Sequence, residues 1–272
     1  MSLRGIARQL GDTQGVAVSL NALAVLSRDQ GKVAAARSLF EESLALWREL
    51  GDQRAVARAL SNLANVVKME GDFPRVRSLY VECLSIFKEL GDRTGVAWAL
   101  DYQGDVAREQ GDFSAARILY EQGLAIFQEL GDRWGIAGTL ADLGNLAREQ
   151  RDCAGAHGLY RESLNIFQEL EHKRGVARLL ECFACSAAAQ FQAERALRLA
   201  GAAAALRQII GAPLMAAEQA KLETLLHPAR EVLSDRLGAA AWLEGWAMPV
   251  DQAIEEALTA DAAVPPNGSS AG

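Results

Sequence analysis

Apolar residues in this chain recur at intervals of three and four, the spacing of one face of an α-helix. Leu60, Leu63 and Val67 share one such face, and Val76 and Tyr80 begin the next. No segment alternates apolar and polar residues with a period of two, which a half-buried β-strand requires. The pattern therefore predicts an all-α protein without strands.

The helical segments are punctuated at a fixed interval. The tetrapeptide Glu-Leu-Gly-Asp occurs at Glu49–Asp52, Glu89–Asp92 and Glu129–Asp132, which places successive copies 40 residues apart. Gln9–Asp12 is a close variant, and Glu169–His172 is a decayed copy. Glycine suits a left-handed helix stop and aspartate suits the N-cap of the next helix. A Gly-Asp mark halfway along the unit therefore predicts two helices in each unit.

Each unit also alternates small and large residues at fixed positions, where two paired helices would cross closely. The small residues are Ala24, Ala64, Gly104, Gly144 and Ala184, and the aromatic residues are Phe40, Tyr80, Tyr120 and Tyr160.

With Leu60-x2-Leu63-Ala64 and Gly71-Asp72, this unit resembles the tetratricopeptide repeat. Its 40-residue form is similar to the arrays of bacterial signalling ATPases, of maltose-activator and LuxR-like regulators, and of Rap-like peptide-sensing proteins. The resemblance implies a right-handed superhelical solenoid of helix-turn-helix repeats with a C-terminal helical cap.

The repeat sets the expected domain boundaries. Residues 1–10 are expected to form a partial or capping helix, and residues 11–210 five repeats. Residues 211–260 are expected to form capping helices, with Pro228 a kink or break in the first of them. A disordered tail is expected over residues 261–272, because they are rich in Pro, Gly and Ser.

Composition excludes several classes of function. Half of the residues are hydrophobic, and the net charge of −7 leaves no basic footprint for nucleic acid. No apolar run is long enough to cross a bilayer, and the chain does not start like a signal peptide. Four cysteines are too few for a disulfide scaffold of this length. We therefore expect a cytoplasmic protein that binds neither nucleic acid nor membrane.

Motifs that carry chemistry are not found. The sequence contains no phosphate-binding Gly-x4-Gly-Lys-Ser/Thr loop. Cys182 and Cys185 lack the further ligands of a zinc site, and Cys153 lies in a packing register, although His157 follows one turn later. No catalytic residue, metal or cofactor is therefore expected. For Trp134 two interpretations stay open: an exposed contact anchor, or a cover over the start of its own helix.

The first helices of stacked repeats line the concave side of such an array, so their recurring polar positions are the candidate site. Amide and cation rows of this kind resemble those with which some tetratricopeptide proteins hold a peptide. The predicted contact residues are Arg58, Asn65, Lys68, Trp98, Asp101, Asp105, Arg108, Asn145 and Arg148.

The sequence thus predicts a non-catalytic protein- or peptide-binding scaffold. Cations outnumber acids in the candidate set, which suggests an acidic ligand or a free C-terminus. From the resemblance we expect the partner-docking or sensory arm of a bacterial signalling or transcriptional regulator. The alternative is a sensor of a small molecule or signal peptide, whose array changes curvature on binding.

Overall fold

A computed structural model describes residues 11–259. In this range the chain forms α-helices and no strand, which confirms the predicted class. None of the described helices is both long and apolar enough to span a bilayer. The partial helix expected over residues 1–10 and the tail expected over residues 261–272 lie outside the described residues.

Ten helices form five consecutive pairs, and three more follow them in the described part of the chain. The first helices of the pairs are α1 (Thr13–Asp29), α3 (Gln53–Met69), α5 (Arg93–Glu109), α7 (Arg133–Glu149) and α9 (Lys173–Ala189). The second helices are α2 (Val33–Leu50), α4 (Phe73–Glu89), α6 (Phe113–Leu130), α8 (Cys153–Glu169) and α10 (Ala193–Ile209). The last three are α11 (Ala216–Val232), α12 (Asp235–Ala247) and α13 (Val250–Leu258).

The repeated aspartates begin the helices. Asp52 accepts a hydrogen bond from the Ala55 N–H at 3.0 Å, and Asp92 accepts one from the Gly95 N–H at 2.9 Å. The equivalent bond starts α1, α4, α6, α7 and α8. Each cap contributes about 1 kcal/mol and satisfies a backbone donor that the helix itself leaves unpaired.

The residue before each of these caps has a left-handed backbone. Glycine takes this conformation at seven successive marks from Gly11 to Gly131, with φ between 64° and 79°. The next three marks have lost the glycine but kept the conformation: φ is 64° at Arg151, 51° at Glu171 and 60° at Phe191, before glycine returns at Gly211 with φ of 63°. The left-handed turn of the repeat is therefore kept even where glycine, the residue that suits it best, has been replaced.

Within a pair, small residues receive the aromatic rings as predicted. A Cβ built on Gly104 would lie 2.7 Å from the Tyr120 ring, and one on Gly144 would lie 2.4 Å from the Tyr160 ring. Both tyrosines are fully buried. Because real Cβ contacts are longer than this, glycine allows the ring to pack against the helix backbone at these two crossings.

Neighbouring pairs are joined by side-chain bonds between residues that lie 33 or 34 positions apart. Arg37 lies 3.0 Å from Glu70, and Arg75 lies 2.5 Å from Glu41. Arg77 donates to Gln110, and one repeat later Arg117 donates to Gln150, both at 2.9 Å. Exposed pairs of this kind contribute at most about 1 kcal/mol each, but their repetition fixes one register between units.

The described residues divide into two compact units. The first runs to Glu171 and includes Leu214–Lys221, while the second comprises His172–Pro213 and the residues from Leu222 onward. Four helix pairs thus belong to the first unit. The fifth pair, α9 and α10, belongs to the second unit with most of the C-terminal helices.

In the second unit, α12 packs closely on α10. A Cβ built on Gly245 would lie 1.9 Å from the Arg198 carbonyl oxygen, and one on Gly201 would lie 2.3 Å from the Trp242 carbonyl oxygen. Arg195 also donates to the carbonyl oxygens of Glu256, Ala257 and Thr259, at the end of α13. The alanine-rich α10 is therefore covered by the C-terminal helices.

Pro228 does not break its helix, so of the two expected outcomes, a kink or a break, the break does not occur. α11 continues through it to Val232, and the chain turns at Leu233 and Ser234, where Ser234 caps α12. Proline removes a helical hydrogen bond, but Thr224, His227 and Pro228 are exposed, so water can replace the lost donor.

Candidate functional site

The predicted contact residues all lie in the first unit, on the first helices of three successive pairs. We call this surface the first-helix face. Arg58, Asn65 and Lys68 belong to α3; Trp98, Asp101, Asp105 and Arg108 belong to α5; Asn145 and Arg148 belong to α7.

The amide and carboxylate row binds tyrosine hydroxyls of the same repeat. Tyr80 donates to Asn65 Oδ1 at 2.9 Å, and Tyr160 donates to Asn145 Oδ1 at 3.0 Å. Tyr120 donates to Asp105 Oδ1 at 2.9 Å. These oxygens therefore anchor the second helix of each pair to the first.

This role escaped the sequence reasoning, although the repeats carry a signal for it. Where the aromatic position is Phe40, which has no hydroxyl, the partner position is Val25. The acceptor is thus present only where a hydroxyl needs one. A comparison of the two positions across repeats would have identified the pair.

Most of the predicted cations are held by carboxylates of the protein itself. Lys68 lies 3.5 Å from Glu109, and Arg148 lies 3.5 Å from Glu149. Arg108 lies 2.6 Å from Glu149 and 3.2 Å from Asp105. Sequence reasoning missed Glu109 and Glu149, which stand next to the cation of the neighbouring repeat.

Arg108 is the most enclosed of these cations, with only 8 % of its side chain exposed. Burial lowers the pKa of its guanidinium, but Asp105, Tyr120 and Glu149 more than offset this, so the net pKa is raised. A charge held in this way costs several kcal/mol to release from its partners. Arg108 therefore joins two repeats.

Asp101 is buried as well. It is 3 % exposed and accepts a hydrogen bond from Thr139 Oγ1 at 2.8 Å, which links α5 to α7. Arg58 differs from the other charged members because its side chain is exposed on α3. Of the predicted charged contacts, Arg58 is the one best placed to meet a ligand.

Aromatic rings form a continuous series across the same face, which we call the aromatic string: Tyr80, Tyr102, Trp98 and Trp134. Ring centroids are 5.8 Å apart for Tyr80 and Tyr102, 6.1 Å for Tyr102 and Trp98, and 4.8 Å for Trp98 and Trp134. The buried Phe127 lies 4.7 Å from Trp98 on its other side. Trp134 is 47 % exposed, so the series runs from the core to the surface.

Trp134 does more than cover the start of its own helix, since it packs on Trp98 of the preceding repeat. Gly138 leaves space beside the Trp98 ring. A Cβ on Gly138 would lie 3.7 Å from the Trp98 ring, whereas the equivalent positions in other repeats hold larger side chains such as Val18, Arg58 and Arg178. The string is therefore peculiar to this part of the array.

Carboxylates surround the middle of the string. Burial, with smaller contributions from the charges of Asp101, Asp105 and Asp142, raises the pKa of Tyr102 to about 12. Asp142, like Glu109, is a charged residue of the face that the sequence reasoning did not select.

The cysteines lie in packing positions, as the sequence suggested. Cys182 and Cys185 are buried in α9, and Cys153 is half-buried at the start of α8. In the described part of the chain, no group of three or more His, Cys, Asp or Glu side chains is arranged to hold a metal ion.

Known structures share this architecture. BtubC (BKLC) from P. vanneervenii is similar with a TM-score of 0.59 at 21 % identity, over 78 % of this chain and 88 % of that one. The apo form of RapI gives 0.56 at 15 % identity, over 84 % and 83 % of the two chains. A putative kinesin light chain of Podosopora anserina, described as having TPR-like repeats, gives 0.52 at 15 % identity, over 71 % and 95 %.

Sequence comparison gives the family. Two models of the tetratricopeptide repeat match, one at residues 15–89 and 56–129 and the other at residues 136–171, which together cover more than half of the chain. A search of curated proteins finds no significant match. With the helix pairs and their spacing, these matches establish that the chain belongs to the tetratricopeptide repeat family.

Proposed function

We propose that this protein is a non-catalytic scaffold that binds a peptide, or an extended segment of another protein, along the first-helix face. Tetratricopeptide arrays generally bind proteins or peptides, and the aromatic string is the observation that supports this face as the contact surface. Exposed tryptophan contributes large energies at protein interfaces. A ring such as Trp134, 47 % exposed and supported from beneath by Trp98, is suited to that role.

The polar residues of the face have graded roles in this proposal. Arg58 is exposed and meets the ligand directly. Asn65 and Asn145 hold tyrosine hydroxyls with their side-chain oxygens and so fix the second helices behind the face. Asp101 and Arg108 maintain the shape of the face, because both are buried and bonded within the protein.

The expected acidity of the ligand is less well supported than its peptide nature. That expectation rested on an excess of cations in the predicted set. Glu109, Glu149 and Asp142 belong to the same face and remove the excess, and Lys68, Arg108 and Arg148 are held by carboxylates. The biological setting we propose is the partner-docking or sensory arm of a bacterial signalling or transcriptional regulator. The likeness of fold to RapI is compatible with that setting.

Site-specific photo-crosslinking in cells tests the location of the ligand. A photoreactive amino acid is placed at Arg58 or Trp134 on the first-helix face, and at Val81 or Ile118 on the second helices as matched controls. All four side chains are exposed, so substitution disturbs folding little. We expect one discrete crosslinked partner from the first two positions, and a weaker crosslink after Arg58→Glu in the Trp134-labelled protein.

Crosslinks confined to Val81 and Ile118 would overturn the proposal and make the second helices the working surface. Crosslinks from all four positions with equal yield would indicate non-specific association, which also contradicts it.

A further inference from the structure

A segment of the chain that follows the fifth repeat lies against the first-helix face. The segment Leu214–Lys221 belongs to the first compact unit, although the residues on either side of it along the chain belong to the second. Lys221 Nζ lies 3.8 Å from Glu109 Oε1, the same carboxylate oxygen that Lys68 Nζ approaches to 3.5 Å. A part of the chain that is distant in sequence therefore meets this face where the second and third repeats join.

The segment is held loosely. Residues 216–221 are all exposed, and Leu214 and Met215 are only half-buried, so the segment contributes no side chain to the buried core. Lys221 keeps 54 % of its side chain exposed, and an ion pair that water reaches to this extent contributes little. The segment can therefore leave the face while the repeats beneath it stay folded.

We propose that the segment Leu214–Lys221 is an autoinhibitory latch, which occupies the C-terminal ends of α3 and α5 on the first-helix face and moves aside when a peptide binds there. This inference rests on the proposed function and adds a means of regulating the same surface. Glu109 is the last residue of α5, and Lys68 and Arg108 of the predicted contact set lie beside it. A peptide that covers this end of the face would need the place in which the latch lies.

The strength of the latch sets the size of its effect. The apparent affinity of a peptide is its intrinsic affinity multiplied by the fraction of molecules in which the latch is open. One exposed ion pair shifts such an equilibrium by a factor of roughly 2 to 5. The latch therefore tunes binding rather than preventing it, and a higher salt concentration opens it by screening the pair.

Hydrogen–deuterium exchange of the full chain tests the latch without any ligand. Lys221→Glu places like charges together at Glu109, so the backbone amides in the first two turns of α11 should exchange faster than in the parent. Lysine and glutamate have similar helix propensities, so the substitution itself does not weaken the helix. Lys221→Arg should exchange like the parent. Lys173→Glu, an equal change of charge at an exposed site on α9, is the matched control.

Peptide binding tests the competition. Peptides of about twelve residues extend to roughly 40 Å, more than the ~26 Å length of α5, and therefore reach both ends of the face. They are selected on Lys221→Glu from a phage-displayed library of random sequences without charged residues, so that the altered charge does not act on them directly. Those that bind less tightly to Trp134→Ala, an intact fold being checked by thermal melting, are kept as probes.

In fluorescence anisotropy we expect these peptides to bind the parent roughly 2- to 5-fold more weakly than Lys221→Glu. Lys221→Arg and Lys173→Glu should bind them like the parent. Raising the salt concentration should narrow the difference between the parent and Lys221→Glu.

The outcomes separate this inference from the proposed function. Unchanged exchange in α11 of Lys221→Glu, or equal affinity of the peptides for the parent and Lys221→Glu, would overturn the latch and leave the first-helix face as the binding surface. A selection that yields no peptide sensitive to Trp134→Ala would overturn the proposed function, and the regulation of that surface with it.

Discussion

At the scale of single residues, the strained backbone positions have measurable effects. Arg151 has φ of 64° at a mark where earlier repeats have glycine. A left-handed conformation costs a non-glycine residue roughly 1–2 kcal/mol, whereas glycine increases the entropy of the unfolded chain by roughly 0.4–1 kcal/mol. We therefore expect Arg151→Gly to stabilise the protein by about 0.5–1 kcal/mol, measured as a higher melting temperature.

The control is Glu121→Gly, at an exposed site inside α6. At that position the backbone is helical and unstrained, so glycine relieves no strain and should destabilise the protein by about 1 kcal/mol. If Arg151→Gly lowered the melting temperature as Glu121→Gly does, the backbone at Arg151 would not be strained.

His172 introduces pH dependence at the first helix of the fifth repeat. Its Nδ1 accepts a hydrogen bond from the Gly175 N–H at 3.0 Å, in the place where the earlier repeats have a capping aspartate. Partial burial and the charge of Arg174 lower the pKa of this imidazole. Protonation turns Nδ1 into a donor, so the cap is lost.

Since the folded pKa is below the unfolded value of about 6.5, the unfolded chain binds the proton more readily. The stabilisation is therefore complete above that value and is lost as the pH falls through the folded pKa. We expect the melting temperature to fall more between pH 8 and pH 5 for the parent than for His172→Asn, whose amide caps without titrating. Equal falls in the two proteins would show that the cap contributes nothing.

At the scale of elements, the bond between a tyrosine and its acceptor joins the two helices of a pair. Asn65→Val should leave the Tyr80 hydroxyl without its hydrogen bond. Because Tyr80 is only 1 % exposed, water cannot replace that bond, and we expect the free energy of unfolding to fall by about 1–3 kcal/mol. The double variant Asn65→Val with Tyr80→Phe reproduces the Val25–Phe40 combination of the first repeat and should recover most of the loss. Chemical denaturation of the four proteins gives the coupling energy.

If the effects of the two substitutions on the free energy of unfolding were additive, Asn65 would stabilise the protein by some means other than this hydrogen bond. The same four proteins also test function. If the double variant regained stability but not ligand binding, the Asn65 side chain would be identified as a ligand contact.

The helices were more predictable from the sequence than the face that they build. The helices are predicted by local signals that recur in each repeat: aspartate caps, glycine stops and the small–aromatic alternation. Such signals can be recognised from the sequence alone. The partners of Lys68 and Arg108 are not local: Glu109 and Glu149 lie one repeat away, and only the stacking of the units brings them close. Trp134 remained ambiguous for the same reason, since Trp98 lies on another helix.

At the scale of the whole molecule, we propose that the C-terminal helices act as the cap of the fifth repeat. In the second unit, α12 lies against α10 so closely that Gly201 and Gly245 leave no room for a side chain. We expect a chain truncated after Gly211 to expose the alanine-rich surface of α10, and therefore to lose stability or aggregate. Light scattering and thermal melting measure both effects.

Gly245→Ala provides a milder version of the same test, because a Cβ there would meet the Arg198 carbonyl. A truncated protein that stayed monomeric and melted like the parent would show that residues after Gly211 are an independent appendage.

The recurrence of the same bonds at equivalent positions of successive repeats bears on how such a gene can change. If recombination between two copies removed the codons for residues 91–130, the second repeat would meet the fourth. Lys68 would then find Glu149 where Glu109 had been, and Arg77 would find Gln150 in place of Gln110. The shorter product would keep matched junctions but lack Trp98 and Tyr102, so a single genetic event could alter binding while preserving the fold.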